Sequence, residues 1–159
     1  MTDSNETLPE ETTLSEALAA VGIALEPAQV ELLDRYRRLL LEWNEKMNLT
    51  RHTTLEKFVT RDVVDSLELA KLLEPGERVL DVGTGGGVPG VILAIARPDL
   101  AISVCESTTK KARAVEEMVA DLGLPVTVYP SRVEAVMGIT TFDTPLAPPL
   151  AAAGERPRW

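Results

Sequence analysis

Asp81-Val82-Gly83-Thr84-Gly85-Gly86-Gly87-Val88-Pro89-Gly90 sets five glycines in ten residues between two apolar runs. Before it stands Arg78-Val79-Leu80, a β-branched run that reads as a short buried strand. After it comes Val91-Ile92-Leu93-Ala94-Ile95-Ala96-Arg97, which reads as a helix stopped by Pro98. Strand, glycine turn and helix together hold a nucleotide-like ligand at the carboxyl end of a parallel sheet. Glycine suits such a turn because the chain bends tightly and the ligand approaches the backbone.

The spacing narrows the ligand. Gly85-x-Gly87-x-x-Gly90 fits a dinucleotide fingerprint, but that match alone is weak. Asp81 precedes the glycines, giving acidic-x-Gly-x-Gly-x-Gly. A second acid, Glu106, ends the next apolar run, Ala101-Ile102-Ser103-Val104-Cys105. In a doubly wound sheet that second position faces a cofactor ribose, whose hydroxyls a carboxylate can accept. An acid just before the glycines suits the ammonium group of S-adenosylmethionine and repels a pyrophosphate. The alternatives are a nicotinamide dinucleotide and a glycine turn without a ligand.

The rest of the chain reads as helices followed by alternating strand and helix. Thr13-x-x-Glu16 is a capping box for a short helix ending near Gly22. Pro27 opens a second helix, whose apolar face is Val30, Leu33, Tyr36, Leu40, Trp43 and Met47. Trp43 reads as a core anchor. Thr53-x-x-Glu56 is a second capping box, opening a helix through about Leu73 that Glu74-Pro75-Gly76 ends. Strands at about 78–82, 101–105 and 125–129, joined by helices near 88–97 and 108–122, predict a parallel sheet in the order 3-2-1. Phe142-Asp143-Thr144 can begin a fourth strand, but the Pro/Ala-rich stretch from Pro145 onward argues against one, since proline has no amide hydrogen. Strand 1 is then expected to keep an exposed edge. The expected divisions are an acidic disordered leader over 1–12, a helical region over 13–74, a partial α/β domain over 75–144 and a disordered tail over 145–159.

Charge and cysteine usage limit the function classes. The net charge is −9. The first thirty residues hold six acids and no Lys or Arg, so much of the excess lies in the leader. Any RNA contact therefore needs a local basic face. Cys105 is the only cysteine, which excludes an intrachain disulfide and fits a cytoplasmic protein; it reads as a small core residue. One thiol and one imidazole argue against a zinc site. No apolar run is long enough to span a bilayer.

Four stretches carry a resemblance: Trp43-Asn44-Glu45-Lys46-Met47-Asn48-Leu49-Thr50, Asp65-Ser66-Leu67, Asp81 to Gly90, and Glu106-Ser107-x-x-Lys110-Lys111. Ser131-Arg132-Val133-Glu134 adds a fifth. Over roughly residues 14–144 the chain resembles the bacterial ribosomal RNA small-subunit methyltransferase G family, also called glucose-inhibited division protein B. The resemblance implies a Rossmann-like methyltransferase fold. It also implies S-adenosyl-L-methionine as cofactor, and methylation of one guanine N7 in small-subunit (16S) ribosomal RNA. No membrane and no metal are expected, and a monomer is expected. By position, Gly83 and Val88 would line the cofactor site, and Val133 and Glu134 would flank the adenine. Gly85 and Glu106 join this set through the loop and the ribose logic above. Asn48 is a candidate for the methyl-transfer pocket, with a helix cap as its alternative. No general acid or base is expected.

Two departures stand out. The family usually has Arg-His before Asp-Ser, where this chain has Arg61-Asp62; His52 does not replace it by position and reads as a surface residue. After the Phe-Asp element the family continues with a strand ending in Arg-Ala, which supplies a further cofactor-site arginine. Here the Pro/Ala-rich tail stands instead, as expected of a truncated or frameshifted coding sequence or of a genuine short variant. An impaired enzyme, or a non-catalytic cofactor- or RNA-binding remnant, is the corresponding expectation.

Overall fold

The computed structural model describes residues 12–146. The expected leader, apart from Thr12, and the tail beyond Leu146 lie outside the described residues.

Helix α1 is Leu14–Ala20, and Thr13 caps it by accepting from the Glu16 amide at 3.2 Å. Helix α2, Pro27–Asn44, starts at its proline and buries Leu33, Tyr36 and Leu40 on the expected face. Gln29 serves two ends at once. Its Oε1 accepts from the Glu26 amide, and its Nε2 donates to the Ile95 and Ala96 carbonyls. The third helical region differs from expectation in two ways. Thr54, not Thr53, caps it, accepting from the Lys57 amide at 3.2 Å. The run is also not uniform: α3 is Leu55–Lys57, a π-helical stretch follows over Phe58–Val63, and α4 is Val64–Ala70. The wider π turn buries four of its six residues, Phe58, Val59, Asp62 and Val63.

Strand β1 is Arg78–Val82, α5 is Gly90–Ala96, β2 is Ala101–Cys105, α6 is Thr109–Leu122 and β3 is Thr127–Tyr129. Gly123 closes α6 at φ 66°, the left-handed cap position. Helix α7, Val133–Met137, leads to β4, Thr144–Leu146. All pairings are parallel and the order is β3-β2-β1-β4. The predicted 3-2-1 order holds, but the expected bare edge of strand 1 does not. Val79, Leu80 and Asp81 pair with Thr144, Pro145 and Leu146. Pro145 is tolerated because β4 is an edge strand, where a missing amide hydrogen need not break a ladder on both sides. The Asp143 amide donates to the Arg78 carbonyl and the Asp143 carboxylate accepts from the Arg78 amide, each at 2.8 Å, which sets the register of β4.

Side chains alternate across β1. Val79 faces the main core with Ile102, Val104 and residues of α2, α5 and α6. Leu80 faces a smaller cluster with Cys105 and Val136, flanked by Val82, Tyr129, Val133 and Phe142. Both Val79 and Leu80 are fully buried. The expected uncovering of strand 1 is thus overturned: β4, α7 and Phe142 cover it. A chain ending before Phe142 should therefore be less stable than one ending after Leu146. The loss should be about 1.5–3 kcal/mol for each large side chain uncovered. Urea unfolding midpoints of the two chains measure the difference.

Candidate functional site

The carboxyl ends of three strands meet around the glycine loop. The Gly83 and Thr84 amides donate to the Cys105 carbonyl at 3.0 and 3.3 Å, so the loop stays tied to β2 after β1 ends. The Glu106 amide donates to the Tyr129 carbonyl at 3.0 Å, which ties β2 to β3. Between them lies a cleft of about 270 Å3 lined by Val82, Gly83, Cys105, Ser107 and Ser131 to Glu134. It lies at the carboxyl ends of the strands, where ligands enter open α/β sheets.

Asp81 organises the loop from beneath. Its Oδ2 accepts from the Thr84 hydroxyl at 2.5 Å and from the Gly90 amide at 2.9 Å. The expectation that this carboxylate meets a ligand's ammonium is therefore corrected: it is 1% exposed and turned into the loop. The close approach also explains Gly90, where a Cβ would stand 2.8 Å from that same oxygen and 2.6 Å from Val104. Burial pushes the Asp81 carboxyl up to about 7; the bonds from Thr84 and Gly90 oppose the rise, and the nearby Glu106 charge adds to it.

Tyr36 holds the loop from the helical side. Its buried hydroxyl donates to the Gly86 carbonyl at 2.7 Å. The connection from α2 to α3 lies over the same spot. A Cβ built at Gly86 would stand 3.1 Å from the Leu49 carbonyl oxygen. Asn44 caps this connection, its Oδ1 accepting from the Leu49 and Thr50 amides at 2.9 and 3.0 Å.

The candidate residues fall into three groups. Gly83, Val133 and Glu134 line the cleft together. Gly85 and Glu106 adjoin it: the Gly85 amide donates to Glu106 Oε2 at 3.0 Å, and Glu106 Oε1 accepts from the Thr108 amide at 3.2 Å. Gly85 has φ 59°, a left-handed conformation that a side chain resists. Val88 is half-buried and packs on the main core, outside the cleft lining. Asn48 is exposed on the connection above the loop and has no hydrogen-bond partner among the described residues. The cap at this helix end is Asn44, four residues earlier.

Several residues escaped the sequence reading. Ser107, Ser131 and Arg132 line the cleft, and the signal that marks them is their place in the stretches that carry the family resemblance. Cys105 is core, as read, but its buried thiol also floors the cleft, and burial pushes its pKa up. His52 is not a plain surface residue. Its Nδ1 lies 2.7 Å from Oδ1 of the buried Asp62. Among the described residues no His/Cys/Asp/Glu group is placed to hold a metal, and no helix is long and apolar enough to cross a membrane.

Comparison with known proteins fits this geometry. The family model of GidB, rRNA small subunit methyltransferase G, matches residues 29–154. This chain belongs to that family. A ribosomal RNA small subunit methyltransferase G of Rhodopirellula baltica is 43% identical over 143 residues, covering 90% of this chain and 62% of that protein. One from Chromobacterium violaceum is 45% identical over 131 residues, covering 82% of this chain and 63% of its own length. The chain thus spans a little under two thirds of these curated relatives. A solved coclaurine N-methyltransferase, bound to N-methylheliamine and SAH, superposes with TM-score 0.52 at 16% identity. The match covers 85% of this chain and 47% of that one. The shared fold is the Rossmann-like methyltransferase fold.

The Asp81 geometry makes a pH test. A carboxyl whose pKa is raised on folding binds its proton more tightly folded than unfolded. Its effect on stability is thus most favourable near and below its ordinary 3.8, declines as pH rises, and levels off above about 7. Asp81→Asn keeps an oxygen acceptor for Thr84 and Gly90 and removes that decline. Urea midpoints from about pH 4 to 8 should fall more steeply for the unmodified chain than for the variant.

Proposed function

We propose that this chain binds S-adenosylmethionine in the cleft beside the glycine loop and serves methyl transfer to N7 of a guanine in small-subunit ribosomal RNA. The observation that carries this reading is the loop with Glu106 at its edge. A buried acid ends β2 beside a left-handed glycine, within a family of ribosomal RNA methyltransferases.

The residues present fit the cofactor. Glu106 stands where a ribose is held in this fold, with both carboxylate oxygens already oriented by backbone amides. Val133 and Val82 offer an apolar wall for an adenine, and Glu134 and Ser131 offer polar edges. Glu106 sets a carboxylate at the edge of the cleft, which attracts a cationic ligand and repels a pyrophosphate. This favours S-adenosylmethionine over a nicotinamide dinucleotide.

When bound, S-adenosylmethionine supplies an electrophilic methyl group on a sulfonium centre. Guanine N7 carries a free lone pair at neutral pH, so no side chain need remove a proton. The chain's task is positioning. Tyr36 and Asp81 fix the loop, and the Asn44-capped connection sets Asn48 above it, open to a substrate base.

Calorimetric titration with S-adenosylmethionine and with NAD tests the cofactor reading. Binding of the first and not the second is expected, and NAD binding alone would refute it. Gly85→Val should abolish binding, because its backbone resists φ 59° and its side chain fills the space above the loop. Glu106→Gln should weaken binding by about 1–2 kcal/mol, as charge-assisted hydrogen bonds become neutral ones. Methyl transfer to small ribosomal subunits lacking the modification tests the substrate.

A further inference from the structure

The His52–Asp62 pair has no part in holding the cofactor loop, yet it is built at some cost. Asp62 lies in the π-helical stretch with its side chain 9% exposed. Its Oδ1 meets His52 Nδ1, while Oδ2 is buried with no hydrogen-bond partner among the described residues. Burial pushes the Asp62 carboxyl up and the bond to His52 opposes this. A carboxylate kept in such a place to meet one ring nitrogen fixes the orientation of the imidazole.

The other ring nitrogen is free. His52 is half-exposed, with 38% of its side chain accessible, and its Nε2 has no partner and is not a buried atom. It therefore faces solvent. It does so at the end of the connection that crosses the glycine loop at Leu49, and the Thr50 hydroxyl further fixes it by accepting from the His52 amide at 3.0 Å. From Lys46 to His52 this connection carries Lys46 and Arg51 and no acid, in a chain of net charge −9. Arg51 is exposed, as is Arg61 beside Asp62, and neither has an ion-pair partner among the described residues. Lys46 lies 4.9 Å over the Trp43 ring, which leaves its charge unneutralised by any carboxylate.

We infer that His52, braced by Asp62 and flanked by Arg51, is an RNA-positioning residue whose Nε2–H donates to a backbone phosphate of the substrate strand. The inference rests on the ribosomal RNA reading above and assigns that reading a contact surface. A protonated imidazole donates from both nitrogens, one to Asp62 and one outward, and is a fitting partner for a phosphate oxygen. The ionisable groups facing the pair are Tyr36 of α2 and Asp65 of α4, besides Asp62 itself. Neither is a cation, and the permanent cations beside the pair are the exposed Arg51 and Arg61.

The test uses the full chain and a short, guanosine-containing single-stranded RNA. His52 is the only histidine, so its ring resonances need no assignment. They should shift as the RNA is added. RNA affinity should be stronger at about pH 6 than at about pH 8 for the unmodified chain, and His52→Gln should remove that difference. The variant should bind about tenfold more weakly at the lower pH. Its salt dependence should be shallower by about 0.7 in log–log slope, the value of one single-strand phosphate contact. Asp62→Asn, which keeps the shape and removes the charge, should give a smaller loss in the same direction. Binding of S-adenosylhomocysteine should be the same in all three proteins. Unaltered RNA affinity, pH response and salt slope in His52→Gln, with S-adenosylhomocysteine still bound, would overturn this inference alone. Failure of the unmodified chain to bind S-adenosylhomocysteine would overturn the methyltransferase reading and this inference with it.

Discussion

The site depends on one buried carboxylate. Asp81 ends the buried part of β1, and a single oxygen of its side chain accepts from Thr84, near the start of the loop, and from Gly90, the first residue of α5. Strand end, turn and helix start are therefore tied to one point. Without that clamp the five residues between Thr84 and α5 would be free to open, since a glycine-rich segment has the most conformational entropy to lose on ordering. Tyr36 then fixes the middle of the loop from outside by its bond to Gly86. The helical region is thus part of the site: α2 places the hydroxyl, and its last residue, Asn44, places the connection above the loop.

Much of this was legible in the sequence. The strands at 78–82 and 101–105 stand where β-branched runs and the acids at their ends placed them. Their local pattern and their tertiary role agree. The third strand is shorter than read, beginning at Thr127 after Pro125. What the sequence could not show is which way polar side chains turn. Asp81 and Glu106 look alike as strand-end acids, yet one is spent on the loop and the other faces its rim. The capping threonine is a related case. Thr53 and Thr54 both precede the helix, and only the backbone geometry selects Thr54.

Two further misreadings have physical causes. Pro145 argues against a strand only where the strand is paired on both sides, and β4 is paired only with β1. Its register is held by Asp143, whose side chain and backbone both bond Arg78. His52 and Asp62 are ten residues apart with a helix start between them, so no local period connects them. Asp62 follows the buried Val59 and Phe58 by three and four residues, so spacing alone puts it on the buried face, and only its charge reads against burial.

The charge distribution follows the same logic as the fold. A net charge of −9 opposes RNA at long range, and counter-ion release rewards only the cations that touch phosphate. A protein of this composition gains little from scattered lysines and much from a few cations held in place. The connection between α2 and α3 meets that condition. It is free of acids from Lys46 to His52, is pinned at one end by Asn44 and at the other by the His52–Asp62 pair, and lies against the loop at Leu49. Fixing both ends removes in advance part of the ordering entropy that an RNA contact would otherwise cost. The same pins hold Asn48 above the glycine loop. The cations and Asn48 are therefore placed by one segment, while the glycine loop beneath it is held separately by Asp81 and Tyr36.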